Sequence, residues 1–457
     1  MMRTLSSFAE ACGGRLQGED RRYSAVCTDT RTLARGELFV ALRGPRFNGN
    51  DFVAAADAAG AAGAVVDVPH ATPLSQVIVV ETQAALSRAA QQWRAHFDIP
   101  VIGVAGSNGK TSAKEMTAAI LSRLGPCLAT RGNLNNHIGV PLTLLRIDAE
   151  HRFAVIEMGA NIAGDVAALA ELASPAIGLI TNAGAEHLEG FGTLEGAARA
   201  EGELVEALPS SGTALINADD EFAPLWRGMT RAKVVTFGLS EAALWRAQDV
   251  HCDVDEQGFK TRFTLLSPLG RAEVALELAG RHNVMNALGA AAAAAAAGAG
   301  FTHIVPALAS VRAVAGRLQF KRTPGGAWLI DDSYNANPSS VRAAIEVLAG
   351  LDGSKWLVLG DMAELGDFAE SSHEEIGEFA RAHGIERLFA TGALTALTVK
   401  TFGAGAEWFA DAPSLAAALA KHLHPQVRLL IKGSRMNRLE RVVDALTGAP
   451  AEAAQGH

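Results

Sequence analysis

Six consecutive residues, Gly106-Ser107-Asn108-Gly109-Lys110-Thr111, combine the groups that a polyphosphate requires. Glycines let backbone N–H groups turn toward phosphate oxygens, a lysine offsets their charge, and a threonine hydroxyl suits Mg²⁺. The apolar run Ile99-Pro100-Val101-Ile102-Gly103-Val104 precedes them, and a helical pattern runs on from Ser112 to Leu124. Strand, glycine turn and helix, in that order, are the context a phosphate loop needs, with the helix dipole favouring the anion. The strict G-x4-G-K-[ST] spacing is not met, because Val104 stands where its first glycine belongs. The shorter G-x-x-G-K-T form remains. It reads as an ATP site in which Gly106, Ser107, Asn108, Gly109, Lys110, Thr111 and Ser112 surround the phosphates.

Other candidates sit at the ends of apolar runs. Glu157 follows Phe153-Ala154-Val155-Ile156, and His187 follows Ile177-Gly178-Leu179-Ile180 by a short glycine-containing segment. In an open parallel sheet, residues past the carboxyl ends of the strands line the binding crevice. Phosphoryl transfer uses metal ions to offset charge, so Glu157, His187 and Thr111 are candidate Mg²⁺ ligands. Taken singly, Glu157 is equally a helix-starting glutamate and His187 a surface histidine. Asn283 and Asn286 are one helical turn apart and share a face; their carboxamides suit a nucleobase edge, and Asn283 also suits a helix cap. Asp332, within Asp331-Asp332-Ser333-Tyr334-Asn335-Ala336-Asn337-Pro338, could hold a ribose or form an Asx-type turn. Arg317 could reach a phosphate across a cleft.

The elements that must position these residues form three zones of a 457-residue chain. An α/β fold of three domains is expected: residues 1–97, a substrate-binding α/β domain; 98–316, a central parallel sheet carrying the phosphate loop; and 317–457, a Rossmann-like α/β domain. In the first zone, Leu38–Leu42, Ala64–Val66 and Val77–Val80 read as strands and Val53–Ala62 as a helix. In the second, alternation near 249–277 suggests antiparallel strands added to one edge. In the third, Trp328–Ile330, Trp356–Leu359, Leu388–Ala390 and Leu429–Ile431 read as strands between helices. The polar tail after Gly448 is expected to fray.

Composition narrows the function classes. Hydrophobic residues at 49% and charged residues at 19% fit a large core. A net charge of −9 argues against non-specific nucleic-acid binding, which needs clustered Lys and Arg. The four cysteines form no CxxC pair, so neither a zinc site nor a disulfide framework is expected. No signal peptide is apparent, and the run Ala290–Ala297 suits a buried helix better than a membrane span. A cytoplasmic monomer without membrane insertion is expected.

These motifs together resemble the Mur ligase superfamily, the ATP-dependent amide ligases of peptidoglycan synthesis, with folylpolyglutamate synthetases as cousins. The loop, Glu157, His187, the segment Gly280–Asn286 and Arg317 match in order. Thr28-Asp29-Thr30-Arg31 is similar to the family's nucleotide-sugar-binding N-terminal domain. Arg131–Pro141, Asp332–Pro338, Gly360–Gly366 and Lys432–Arg435 look like those of the member that adds D-alanyl-D-alanine to UDP-N-acetylmuramoyl-tripeptide. The resemblance implies ATP and Mg²⁺ as cofactors and an acyl-phosphate intermediate. It assigns Lys110 to phosphate, and Asn283, Asn286, Arg317 and Asp332 to ATP. Thr30, Arg31, Asn135 and Asn136 go to the UDP-tripeptide, and Asn335, Asp361 and Glu364 to the dipeptide. Most relatives carry a carbamylated lysine where this chain has Glu201. Glu201 is therefore expected, with Lys110 and His187, in the catalytic set and as a metal ligand. Whether the tripeptide ends in lysine or diaminopimelate stays open.

Overall fold

The apolar runs become parallel strands. In the computed structural model, which describes residues 3–45 and 47–448, Val101–Ala105 is buried along its whole length. It lies between Phe153–Glu157 and Ile177–Ile180, parallel to both. Val101 and Ala105 pack on one face with Val166, Leu169 and Leu204. Ile102 and Val104 pack on the other with Ala113, Met116 and Val284. A strand covered on both faces has no solvent side, which is why its sequence shows no alternation.

Among the described residues the central sheet has nine strands. Across it lie Cys127–Ala129, Phe153–Glu157, Val101–Ala105, Ile177–Ile180, Thr213–Asn217, Lys233–Gly238, Trp245–Asp255, Gly258–Ser267 and Gly270–Leu276. The last two join antiparallel, forming the edge expected near 249–277. The alanine run lies in the helix Arg281–Ala296, where Ala290 to Ala294 are buried against the sheet. No helix among the described residues is long and apolar enough to cross a membrane.

A five-stranded sheet (Arg15–Gln17, Gln76–Ile78, Gly63–Val66, Leu38–Val40, Val26–Cys27) precedes the central one. A six-stranded sheet (Gln319–Arg322, Trp328–Asp332, Val427–Lys432, Ser354–Gly360, Arg387–Thr391, Ala406–Phe409) follows it. In each only the first strand is antiparallel to its neighbour. The helix expected over Val53–Ala62 ends at Ala58. Gly60, at φ +81°, turns the chain left-handed, and the Ala61 N–H reaches back to the Ala56 carbonyl at 3.0 Å, a helix stop. The tail beyond Gly448, expected to fray, lies outside the described residues.

Contacts between the sheets place the site. Arg3 and Trp93 both donate to the Ile147 carbonyl, at 3.1 and 2.9 Å. On the other side, the rings of Phe259 and Phe320 meet edge to face at 6.1 Å.

Candidate active site

The phosphate loop joins the Val101–Ala105 strand to the helix Lys110–Leu121. Gly109 is the turning point, at φ +84°; a β-carbon there would stand 2.3 Å from the Asn286 Oδ1. The position therefore needs glycine for its dihedral and for the close approach of Asn286. The loop is pinned from the next strand: the Ser107 N–H donates to the Asn182 carbonyl (2.9 Å) and the Asn108 N–H to the Asn182 Oδ1 (3.0 Å). Lys110 Nζ folds back onto the carbonyls of Gly106 (2.5 Å) and Ser107 (3.0 Å). A cation that closes its own loop is released when a phosphate arrives with a stronger charge.

A cavity of about 580 Å³ opens above this loop. That volume suits a nucleotide-sized ligand. Ser107 to Ser112, Asn135, Asn136, Glu157, His187, Asn283, Asn286, Arg317, Asp332 and Asn335 all line it. Residues far apart in sequence thus converge as the strand-end argument requires. Arg317 donates to the Thr111 hydroxyl at 3.1 Å and stacks 4.4 Å over the Tyr334 ring. The third sheet also grips the loop itself. Asn108 Nδ2 donates to the Ser339 Oγ (3.0 Å), and Asn337 Nδ2 donates to the Asn108 Oδ1 (2.9 Å).

The candidate metal ligands are only partly brought together. The Thr111 hydroxyl donates to the Glu157 Oε1 at 3.2 Å, and Asn135 Nδ2 donates to the same oxygen at 2.9 Å. Glu157 Oε2 is buried without a hydrogen-bond partner. His187 lies apart from that pair: its Nδ1 is 2.5 Å from Glu364 Oε2, and its Nε2 is 3.5 Å from Glu186 Oε1. Burial opposes a charged imidazole, but Glu186 and Glu364 outweigh it and raise the His187 pKa. Among the described residues no cluster of three or more His, Cys, Asp or Glu forms an all-protein metal cage. Mg²⁺ does not call for one, since it takes one or two carboxylates and completes its shell with phosphate and water. The unpartnered Glu157 Oε2 beside a threonine hydroxyl fits that donor set.

Glu201 departs from expectation. It lies behind the loop, 3% exposed, and does not line the cavity. Its Oε2 accepts the Gly106 N–H at 2.6 Å, so it braces the phosphate loop from below. Burial raises its pKa from an ordinary 4.5 to about 7, against the lowering effect of Lys110 and the Gly106 N–H. A carboxyl whose folded pKa is raised is most stabilising when protonated, and that contribution is lost as pH rises through the folded value. The Glu201→Gln variant keeps an acceptor for Gly106 and loses the buried charge. Its melting temperature is expected to rise relative to wild type between pH about 4.5 and about 7 and to hold a constant lead above that; thermal melts across this range check it.

Four substrate candidates, Asp361, Thr30, Arg31 and Glu364, do not line the cavity. The Asp361 carboxylate is consumed by the N–H groups of Ala393, Leu394 and Thr395, at 2.9, 3.0 and 2.9 Å, so it caps a helix start and faces away from the cavity. Thr30 and Arg31 lie on a loop of the first sheet, outside the cavity, where Arg31 pairs with Asp29 at 2.6 Å. Asn136 Oδ1 accepts the N–H groups of Ile138 and Gly139 (3.1 and 2.9 Å). Sequence reasoning assigned no role to Glu186 or Lys114, and Lys432 entered only within the motif Lys432–Arg435. Lys432, at the end of its strand, donates to Asp332 Oδ2 (2.6 Å) and the Asn335 carbonyl (2.9 Å). Lys114, fully buried, donates to the Thr130 carbonyl at 2.8 Å and approaches Glu157 Oε2 at 4.0 Å.

Three family models match the chain in order: the Mur ligase family catalytic domain at residues 22–108, the Mur ligase middle domain at 104–294, and the Mur ligase glutamate ligase domain at 316–435. The UDP-N-acetylmuramoyl-tripeptide–D-alanyl-D-alanine ligase of Escherichia coli K12 is 44% identical over 97% of this chain and 98% of its own length. The chain belongs to the Mur ligase family. Among solved structures, MurF from Acinetobacter baumannii superposes on this Mur ligase with a TM-score of 0.91 at 33% identity, covering 98% of this chain and 99% of the other. MurF from Thermotoga maritima, solved in complex with ADP, has a TM-score of 0.80 at 26% identity, covering 93% and 97%.

Proposed function

We propose that this Mur ligase joins D-alanyl-D-alanine to UDP-N-acetylmuramoyl-tripeptide, converting ATP to ADP and phosphate, as the last cytoplasmic step in assembling the UDP-muramoyl-pentapeptide of peptidoglycan. The observation that carries this is the meeting, in one cavity, of a phosphate loop on the central sheet with Tyr334 to Asn337, Ser339, Ser340 and Lys432 from the third. Near-full-length likeness to ligases of that name supports the choice of substrates. The domain division 1–97, 98–316 and 317–457 is proposed on the same grounds, since each large sheet takes its strands from within one span.

A carboxylate is a poor acyl donor until one of its oxygens becomes a good leaving group. The tripeptide's terminal carboxylate takes the γ-phosphoryl group of ATP. The dipeptide amine then attacks the acyl phosphate, and the tetrahedral adduct collapses to an amide and inorganic phosphate. Lys110 offsets phosphate charge, and the N–H groups of Gly109 to Ser112 cradle it, those of Gly106, Ser107 and Asn108 being spent on Glu201 and Asn182. Asn283, Asn286, Arg317 and Asp332 hold the nucleotide. Asn135 and Asn136 face the UDP-tripeptide, whose nucleotide end reaches Thr30 and Arg31 on the first sheet. Asn335 and Glu364 lie on the dipeptide side. Mg²⁺, held by Thr111 and Glu157, would neutralise the phosphates. Closure of the third sheet over the loop excludes the water that would hydrolyse an acyl phosphate.

Phosphate release is expected to require both UDP-tripeptide and D-alanyl-D-alanine, with a pentapeptide product seen by mass spectrometry. Release indifferent to either substrate would leave only a nucleotide-hydrolysing module.

A further inference from the structure

The cavity also holds a carboxylate that the assignments above leave idle. Glu186 follows the Ile177–Ile180 strand, on a segment tied to the phosphate loop by the Gly184 N–H, which donates to the Ser107 Oγ at 2.8 Å. Its Oε2 is buried without a hydrogen-bond partner and lies 3.8 Å from Lys110 Nζ. Unpartnered buried carboxylate oxygens are costly, so such an atom calls for a cation. Lys110 serves only while the cavity lacks phosphate. Once a phosphate engages Lys110, Glu186 faces a polyanion with its counter-charge shared.

His187 completes the pair. Nδ1 is held by the Glu364 carboxylate, which leaves Nε2 as the nitrogen that can exchange its proton for a metal. Nε2 and the Glu186 Oε1 then face each other at 3.5 Å. Two neighbouring ligands of an octahedral ion, each about 2.1 Å from it, stand about 3 Å apart. Glu201, by contrast, is outside the cavity and engaged with Gly106.

We propose that Glu186 and His187 are the protein ligands of a second divalent cation in the nucleotide cavity, with phosphate and water completing its shell, and that Glu201 is a positioning residue for the loop. The inference rests on the ATP reading above. The test uses the full chain with a saturating non-hydrolysable ATP analogue, titrated with Mn²⁺ and read by electron paramagnetic resonance. Wild type is expected to bind two Mn²⁺. In Glu186→Gln the second site weakens at least about tenfold, while Glu201→Gln keeps both. Glu186→Asp, which retains the charge on a shorter side chain, is expected to fall between, and it answers the question if the glutamine variant does not fold. One Mn²⁺ in wild type, two undiminished sites in the Glu186 variants, or a site lost in Glu201→Gln would each overturn the proposal. Failure of wild type to bind the analogue at all is a different result, which removes the ATP reading instead.

Discussion

The Lys110→Met enzyme releases phosphate about 10²–10³-fold more slowly than wild type, the loss typical of removing one preorganised group that stabilises transition-state charge. The expectation rests on what surrounds the ammonium. Glu186, Glu201 and Glu157 all act on Lys110; burial opposes its charge, and the three carboxylates outweigh burial, so its pKa is raised. Methionine nearly matches the length of the side chain and removes its charge. The γ-phosphate then meets Glu157 and Glu186, the two of these carboxylates that line the cavity, with no ammonium between them, and the developing charge on the transferred group is opposed by its surroundings. Both kcat and the KM for ATP are expected to suffer, because Lys110 faces the phosphates before and during transfer. Arginine does not rescue the loss, since a planar guanidinium cannot take the place of a compact ammonium folded onto Gly106 and Ser107. Steady-state kinetics alongside a melting curve separate this from misfolding.

Lys432→Met is expected to destabilise the third sheet by about 3–5 kcal/mol, the usual result of breaking a buried ion pair from one side. The Lys432 side chain is 3% exposed and that of Asp332 13%. Removing the ammonium leaves Asp332 Oδ2 without its partner, while Oδ1 still accepts the Leu318 N–H at 3.1 Å. The damage is an uncompensated charge more than a lost contact. The double variant Lys432→Met with Asp332→Asn should therefore recover a large share of the stability, and urea unfolding of the two variants checks this. A double variant no better than the single one would mean that the Asn335 carbonyl, also bound by Lys432, dominates.

These two lysines mark what could and could not be read from the chain. Lys110 was legible because its glycines, its preceding strand and its helix are local. Parallel strands such as Val101–Ala105 and Ile177–Ile180 were legible because burial on both faces writes a continuous apolar run. Thr213–Asn217 and Lys233–Gly238 went unread, as their apolar runs before the first polar residue, Ala214-Leu215-Ile216 and Val234-Val235, are only three and two residues long. Lys114 and Glu186 look like surface charges in sequence, and the motif around Lys432 does not say that its ammonium is buried. Their burial depends on partners 16 to 100 residues away, such as the Thr130 carbonyl and Asp332, and no local pattern encodes a partner at that distance. A glutamate beside a candidate histidine was the one available hint for Glu186. Glu201 was read by position alone, and position did not reveal that its carboxylate points at a backbone N–H.

The hydrogen bonds of Asn108 to Ser339 and Asn337 have a thermodynamic consequence. The phosphate loop and the third sheet share a free energy, so a ligand that reshapes one shifts the populations of the other. Linkage makes this symmetric: whatever factor bound nucleotide applies to affinity for the amine substrate, the amine substrate returns to the nucleotide. A single carboxamide in the loop therefore gives two substrates held by different sheets a physical route by which to sense each other's presence.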